Sequence, residues 1–141
     1  MESAEVRFLT PAEVKELAEA IGPQFRVLIY VAAYAGLRWV ELIGLKRRRV
    51  DLLARSIAVV EQLVTFNNHA IWQPPKTKAS RRKISISLFL VDMLDHQLTV
   101  RSLPGPDGLV FPNQAGKPII PASFNGNHWR RSIRQVGLDG L

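Results

Sequence analysis

The apolar positions along the chain change rhythm twice. Between Thr10 and about Leu45 they recur at helical spacing; from Ile57 to Leu88 they alternate or cluster in branched and aromatic runs; beyond Phe89 the helical spacing returns. Thr10-Pro11-Ala12-Glu13 marks the first helix, with Thr as N-cap, Pro at the first helical position and Glu three residues after the cap. Gly22-Pro23 closes it. A second helix is predicted over about residues 24–35, with Phe25, Leu28, Ile29, Ala32 and Ala33 on one stripe and Gly36 as its stop. Val40, Leu42, Ile43 and Leu45 then suggest a short third helix opened by Arg38, which runs out into Lys46-Arg47-Arg48-Arg49.

After Val50-Asp51-Leu52 the texture becomes β. Residues 57–60 and 63–66 read as strands, Asn67-Asn68-His69 as a turn, and residues 70–73 as the returning strand, which Pro74-Pro75 stops. Ile84, Ile86 and Leu88 alternate with Ser85 and Ser87 as a half-buried strand does. These runs are expected to form a small three-stranded antiparallel sheet, with residues 76–83 as a basic hairpin tip. Leu90, Val91, Leu94 and Leu98 define a helix over about 89–101. A Pro/Gly loop (104–108), a short extended piece (109–112) and a turn (114–117) follow. Ser123 is expected to cap a last helix over 124–136, ended by Gly137. No repeat or low-complexity segment interrupts this order of helices, sheet, helices, which is that of a mostly helical α+β domain.

Composition narrows the picture. The chain has 141 residues, one domain's worth, of which 47% are hydrophobic. The absence of cysteine excludes a disulfide scaffold, a Cys-ligated zinc site and a thiol nucleophile. The charged opening Met1-Glu2-Ser3-Ala4-Glu5 holds no secretory apolar segment, and the longest charge-free apolar run, Val27 to Leu37, is well short of the ~20 residues of a membrane span. An aqueous, cytoplasmic location is therefore expected. The net charge of +7, from 19 Lys and Arg against 12 Asp and Glu, is clustered, which points to a polyanionic partner.

Two constellations carry candidate chemistry. In the first, Gly36-Leu37-Arg38-Trp39-Val40-Glu41-Leu42, a glycine closes one helix and an arginine opens the next. A guanidinium there can hold a phosphate in two-point geometry, with Glu41 one turn on to fix its rotamer. An ordinary surface Arg–Glu pair has the same spacing. The second is the segment 76–83, with five cations in eight residues: Lys76, Lys78, Arg81, Arg82 and Lys83. Such a segment can track phosphates, and a lysine held beside a strand end can protonate a departing alkoxide. A solvated charged turn has this composition too, but Arg47-Arg48-Arg49 supplies a second basic cluster and suggests a shared ligand.

In this order and at this separation, the two constellations resemble the catalytic domain of the tyrosine recombinases, also called the phage integrase family. The likeness rests on Gly36-Leu37-Arg38-Trp39-Val40-Glu41-Leu42 with Leu45 and Val50-Asp51-Leu52, and on Pro75-Lys76-Thr77-Lys78-Ala79-Ser80-Arg81-Arg82 with Ile84-Ser85-Ile86. Leu9-Thr10-Pro11-Ala12-Glu13-Val14, Leu109-Val110-Phe111-Pro112 and Gly116-Lys117-Pro118 resemble its flanking landmarks, so that residues 1–141 read as the N-terminal and central part of such a domain.

The resemblance implies site-specific DNA recombination or integration, with double-stranded DNA and other recombinase protomers as partners and a nucleoid-associated location. It implies that Arg38 is the first of two arginines clamping the scissile phosphate, that Lys76 is the general acid expelling the 5′ oxygen, and that Glu41 supports them. Arg47, Arg48, Arg49, Lys78, Arg81, Arg82 and Lys83 would contact DNA. The nucleophile would be a tyrosine forming a 3′-phosphotyrosyl bond, with no metal and no cofactor.

Family members continue into a His-x-x-Arg box and the nucleophilic tyrosine, whereas this sequence ends at Leu141, so the chain alone is expected to be inactive. Tyr30 and Tyr34 fall on the apolar second helix and are expected in the core, hydrogen-bonded. His128-Trp129-Arg130-Arg131 spells His-x-x-Arg but falls inside the last helix, before the expected place of that box. His69 reads as a turn residue and His96 as a helix-surface residue. Trp39, Trp72 and Trp129 read as packing residues. Two other readings fit the same residues: a non-catalytic DNA-binding module or decayed integrase relative, and a basic RNA-binding domain.

Overall fold

The computed structural model describes residues 9–66, 69–75 and 77–138; Lys76, the Asn67-Asn68 part of the predicted turn and both ends of the chain lie outside the described residues. Helix α1, Pro11–Ile21, starts with the predicted capping box: the Glu13 amide donates to Thr10 Oγ1 at 3.1 Å and the Thr10 amide to Glu13 Oε1 at 2.9 Å. Helix α2, Arg26–Ala35, begins two residues later than predicted because the Phe25 amide is taken by the Gly22 carbonyl in a tight turn. Its buried face is wider than the predicted stripe. Val27 and Val31 are buried and Ala33 is exposed, since α2 packs against α1 on one side and against α4, Leu88–Val100, on another. Gly36 ends α2 at φ +73°, a conformation that strains any residue with a Cβ.

The β region splits where the sequence suggested one sheet. Strands β1 (Val50–Asp51), β2 (Ser56–Val59) and β5 (Arg82–Ser85) form a three-stranded antiparallel sheet in the order β1-β2-β5, while β3 (Gln62–Phe66) and β4 (His69–Gln73) form a separate hairpin. Pro74-Pro75 provides no backbone donor after β4, so the chain leaves the hairpin there and β5 pairs instead with β2, Ile57 opposite Ile84. The basic segment is therefore a crossover between two sheets and not a hairpin tip. His69 is the first residue of β4, opposite Phe66.

Leu88 opens α4 and is exposed instead of ending a strand. The extended piece around Leu109 pairs with Lys46, the Val110 amide donating to the Leu45 carbonyl. The last helix consists of α5 (Pro121–Phe124), a π turn (Asn125–Trp129) and α6 (Arg130–Gln135). Its first hydrogen bond runs from the Phe124 amide to the Ile120 carbonyl, so Pro121 occupies the first helical position and Ser123 is not the cap. At the far end the Leu138 amide returns to the Ile133 carbonyl at 2.7 Å and the Gly137 amide to Arg134 at 3.2 Å, the paired closure that a left-handed Gly137 permits. Leu17, Leu28, Leu42, Ile57, Leu94 and Phe111 belong to one continuous core beneath these elements.

Candidate nucleic-acid interface

Arg38 sits at the turn between α2 and α3 (Trp39–Ile43) with extended backbone, φ −71° and ψ 157°. Leu37 before it and Leu42 after it are buried and pin the turn to the core. The Arg38 carbonyl accepts from the amides of Glu41 and Leu42, and its own amide donates to Glu41 Oε1 at 2.7 Å. The Arg38 guanidinium is exposed and has no hydrogen-bond partner among the described residues. A five-residue helix is little more than one turn of aligned dipoles, so attraction for an anion here comes mainly from the guanidinium.

Glu41 does not hold the Arg38 side chain. Its carboxylate, 3% exposed, is gripped by Arg82 of β5: Nη2 donates to Oε1 at 3.0 Å and Nη1 to Oε2 at 3.1 Å. The same guanidinium donates from Nη1 to the Ser80 carbonyl at 3.0 Å and from Nη2 to the Gly36 carbonyl at 3.3 Å. Arg82, expected on DNA, is thus an internal tie. It brings the 77–81 segment to the Arg38 turn. Within that segment Lys78–Ser80 form one 3-10 turn, and the Thr77 and Ser80 hydroxyls are 3.0 Å apart.

The remaining basic residues divide sharply. Lys78, Arg81 and Lys83 are exposed and make no ion pair among the described residues. Lys83 projects from the opposite face of β5 to Arg82, away from the Arg38 turn. The Lys46–Arg49 run is largely committed. Arg47 Nη1 donates to the Leu98 carbonyl at 2.7 Å, Arg48 pairs with Asp107 at 2.9 Å, and Lys46 and Arg49 share Glu61 at 3.4 Å each. Lys46 also lies 4.8 Å above the Trp72 ring, whose Nε1 donates to the Gly44 carbonyl. These cations brace β3, α4 and the 105–109 loop against one another; of Arg47, Arg48 and Arg49, only Arg48 is exposed.

Tyr34 is 44% exposed against Phe89, and Tyr30 is half-buried with its ring 6.3 Å away; neither hydroxyl has a hydrogen bond among the described residues, so these tyrosines lie at the core's edge and not within it. His128 packs between Phe25 and Phe124, and burial, with the Arg131 charge second, pushes its pKa below the usual 6.5. His96 is exposed on α4. Trp39 packs on Phe124 and Trp129 against the core. A groove of about 860 Å³ between α1, α2 and the last helix is lined by Leu17, Leu28, Trp39, Phe124 and Trp129 and is too apolar to receive a phosphate. Among the described residues no group of three or more His, Cys, Asp or Glu could hold a metal ion, and no helix is long and apolar enough to cross a membrane.

Comparison with known proteins gives the chain a family and a fold. The family model described as "Phage integrase family" matches residues 7–140. A tyrosine recombinase XerC-like protein of Caldanaerobacter subterraneus is 28% identical over 134 residues, covering 87% of this chain and 34% of that protein. The integrase of Mycobacterium phage L5 is 24% identical over 141 residues, covering 97% and 38% respectively. Among solved structures, the Tn1549 transposon integrase in complex with circular intermediate DNA superimposes with a TM-score of 0.77 at 24% identity, over 96% of this chain and 47% of that one. XerA recombinase superimposes with a TM-score of 0.69 at 21% identity, over 99% and 45%. The chain therefore spans about a third of the length of the curated relatives it matches and about half of the solved ones.

Proposed function

The chain belongs to the phage integrase family, and from that premise we propose that it forms the N-terminal and central part of a tyrosine recombinase catalytic domain, binding double-stranded DNA for site-specific cleavage and rejoining. The observation that carries this reading is the Arg38 guanidinium, exposed and, among the described residues, uncommitted, beside a segment whose Lys78 and Arg81 are equally free among them. Arg38 grips the scissile phosphate with its forked donors and stabilises the charge that grows on the phosphorus oxygens in the transition state. Lys76, one residue before the tied segment, protonates the departing 5′ oxygen. Glu41 acts at one remove, through the Arg38 amide and Arg82.

The attacking tyrosine belongs to another segment, since Tyr30 and Tyr34 are on α2 with Tyr34 turned toward Phe89. Because the phosphodiester bond energy is kept in a phosphotyrosyl linkage, neither metal nor cofactor is required. Lys78, Arg81, Lys83 and the exposed Arg48 contact phosphates, while Arg47, Arg49 and Arg82 serve the fold. Action on DNA alongside other recombinase protomers would place the protein in the cytoplasm, on the nucleoid.

The test is a salt titration of duplex binding. Affinity for a 20–30 base-pair duplex should fall steeply between about 50 and 200 mM salt, and Arg38→Ala, Lys78→Ala or Arg81→Ala should each flatten the logarithmic slope by ~0.9. Absence of binding at low salt, or equal preference for single-stranded RNA, refutes the reading.

A further inference from the structure

We propose that Arg82 is a positioning residue, not a DNA contact: it couples the Arg38 turn to the 77–81 segment so that the free cations of both are presented as one rigid unit. This deepens the reading of Arg38 as a phosphate clamp and rests on it.

A guanidinium has four Nη hydrogens, and Arg82 makes four contacts through Nη1 and Nη2: two to the Glu41 carboxylate, one to Ser80 and one to Gly36. Only its Nε–H is left, so it has no fork with which to grip a phosphate. The acceptors come from three places. Gly36 lies two residues before Arg38, Glu41 three after it, and Ser80 at the end of the 3-10 turn that carries Lys78. Arg82 therefore brackets Arg38 along the chain while holding the basic segment from its own strand.

The carboxylate completes the coupling. Glu41 Oε1 accepts from Arg82 Nη2 and from the Arg38 amide, so one buried oxygen joins the two segments directly. Electrostatics point the same way. A buried carboxylate next to Arg38 would hold the Arg38 guanidinium and compete with phosphate for it, but Arg82 already occupies both its oxygens.

The test uses the chain as it stands, with a fluorescent 20-base-pair duplex and amide NMR of the labelled protein. The variants are Arg82→Lys, which keeps the charge and loses the fork, and the double variant Glu41→Met with Arg82→Met, which replaces the ion pair by apolar side chains of similar length and guards against misfolding. Both are expected to lower duplex affinity by about tenfold, the effect of one charge-assisted contact. The double variant should leave the salt slope unchanged, because no phosphate contact is lost. In Arg82→Lys, which keeps the Glu41 acceptor of the Arg38 amide, the amides of Arg38 and of residues 79–81 should shift together.

A double variant whose slope falls by ~0.9 makes Arg82 a phosphate contact and overturns the proposal. One that binds like the parent overturns it as well, since the coupling then has no consequence. If the parent chain binds no duplex, the functional reading fails, and the amides alone decide the coupling. A joint shift supports it, and an unmoved Arg38 amide refutes it.

Discussion

Replacing Arg82 and Glu41 by Met, singly and together, should give three stabilities in an order that the burial of the two charges dictates. Glu41 is 3% exposed and Arg82 32%, so the partner left behind differs in cost. Arg82→Met strands the more buried charge with only the Arg38 amide for company and frees the Ser80 and Gly36 carbonyls; removing one member of a buried pair costs about 3–5 kcal/mol, and the upper half of that range applies here. Glu41→Met strands the guanidinium, but solvent reaches it and two carbonyls still accept from it, so ~2–3 kcal/mol is expected, including the unpaired Arg38 amide. The double variant removes both charges and fills the space with flexible apolar chains, and should lie within ~1–2 kcal/mol of the parent. The coupling energy is then ~4–7 kcal/mol, above the top of what contacting residues usually show. Urea unfolding followed by tryptophan fluorescence reads it directly, since Trp39 is two residues from Glu41 and Trp72 touches Gly44 on the other end of α3. If Glu41→Met costs more than Arg82→Met, or if the single losses simply add in the double variant, the assignment of Glu41 as the deeply buried partner is wrong.

Three further outcomes follow from single contacts. Because His128 has a pKa below its usual value when folded, the unfolded chain binds its proton first as pH falls; stability should decline from about pH 6.5 downward until the folded imidazole is also protonated, and His128→Phe should remove that part of a pH series of urea midpoints. A Cβ added at Gly44 would lie 2.8 Å from Leu63 Cβ and 2.9 Å from the Leu63 amide nitrogen, so Gly44→Ala should cost ~1–3 kcal/mol in thermal or urea unfolding, whereas a cost below ~0.5 kcal/mol would mean that the β3–β4 hairpin yields freely. With the chain extended by a relative's segment carrying the His-x-x-Arg box and tyrosine, Lys76→Ala should slow cleavage of normal DNA and spare a substrate whose 5′ leaving group is sulfur; rescue of Lys78→Ala instead moves the acid to Lys78.

Local chemistry was legible in the sequence, and partner choice was not. The Thr10 cap, the Gly36 and Gly137 stops and the strand character of residues 57–59 and 63–66 depend on neighbouring residues, and the structure has them where the pattern predicts. The last helix starts before the cap that the sequence suggests, because Ser123 is a good cap in isolation while Pro121 already fits the first helical position. Which strand β5 would join depends on Val59 meeting Arg82 across a gap of 23 residues, and nothing in an alternating Ile-Ser pattern specifies that. Charge is likewise visible without its destination. Arg47, Arg48 and Arg49 look identical in sequence, but a helix-end carbonyl, Asp107 and Glu61 claim one each.

The Arg38–Glu41 spacing does not make a side-chain pair. Residues three apart face each other only when both are helical, and Arg38 is not: with ψ at 157° it is the residue before the first helical one, and its side chain departs from the face on which Glu41 lies. Glu41 instead folds back on the Arg38 amide, the half of a capping box open to any N-cap residue; the reciprocal half needs a side-chain acceptor, which arginine lacks. That leaves one carboxylate oxygen free and a second with room for another donor, on a side chain only 3% exposed. Such an anion requires a cation, and the one that arrives is 41 residues away in sequence, with its fork matched to both oxygens. The consequence falls on Arg38. Had Glu41 paired with it, a phosphate would first have to displace a salt bridge; because Arg82 satisfies Glu41, the Arg38 guanidinium is left without a partner among the described residues and open to a ligand, while its backbone is held at 2.7 Å.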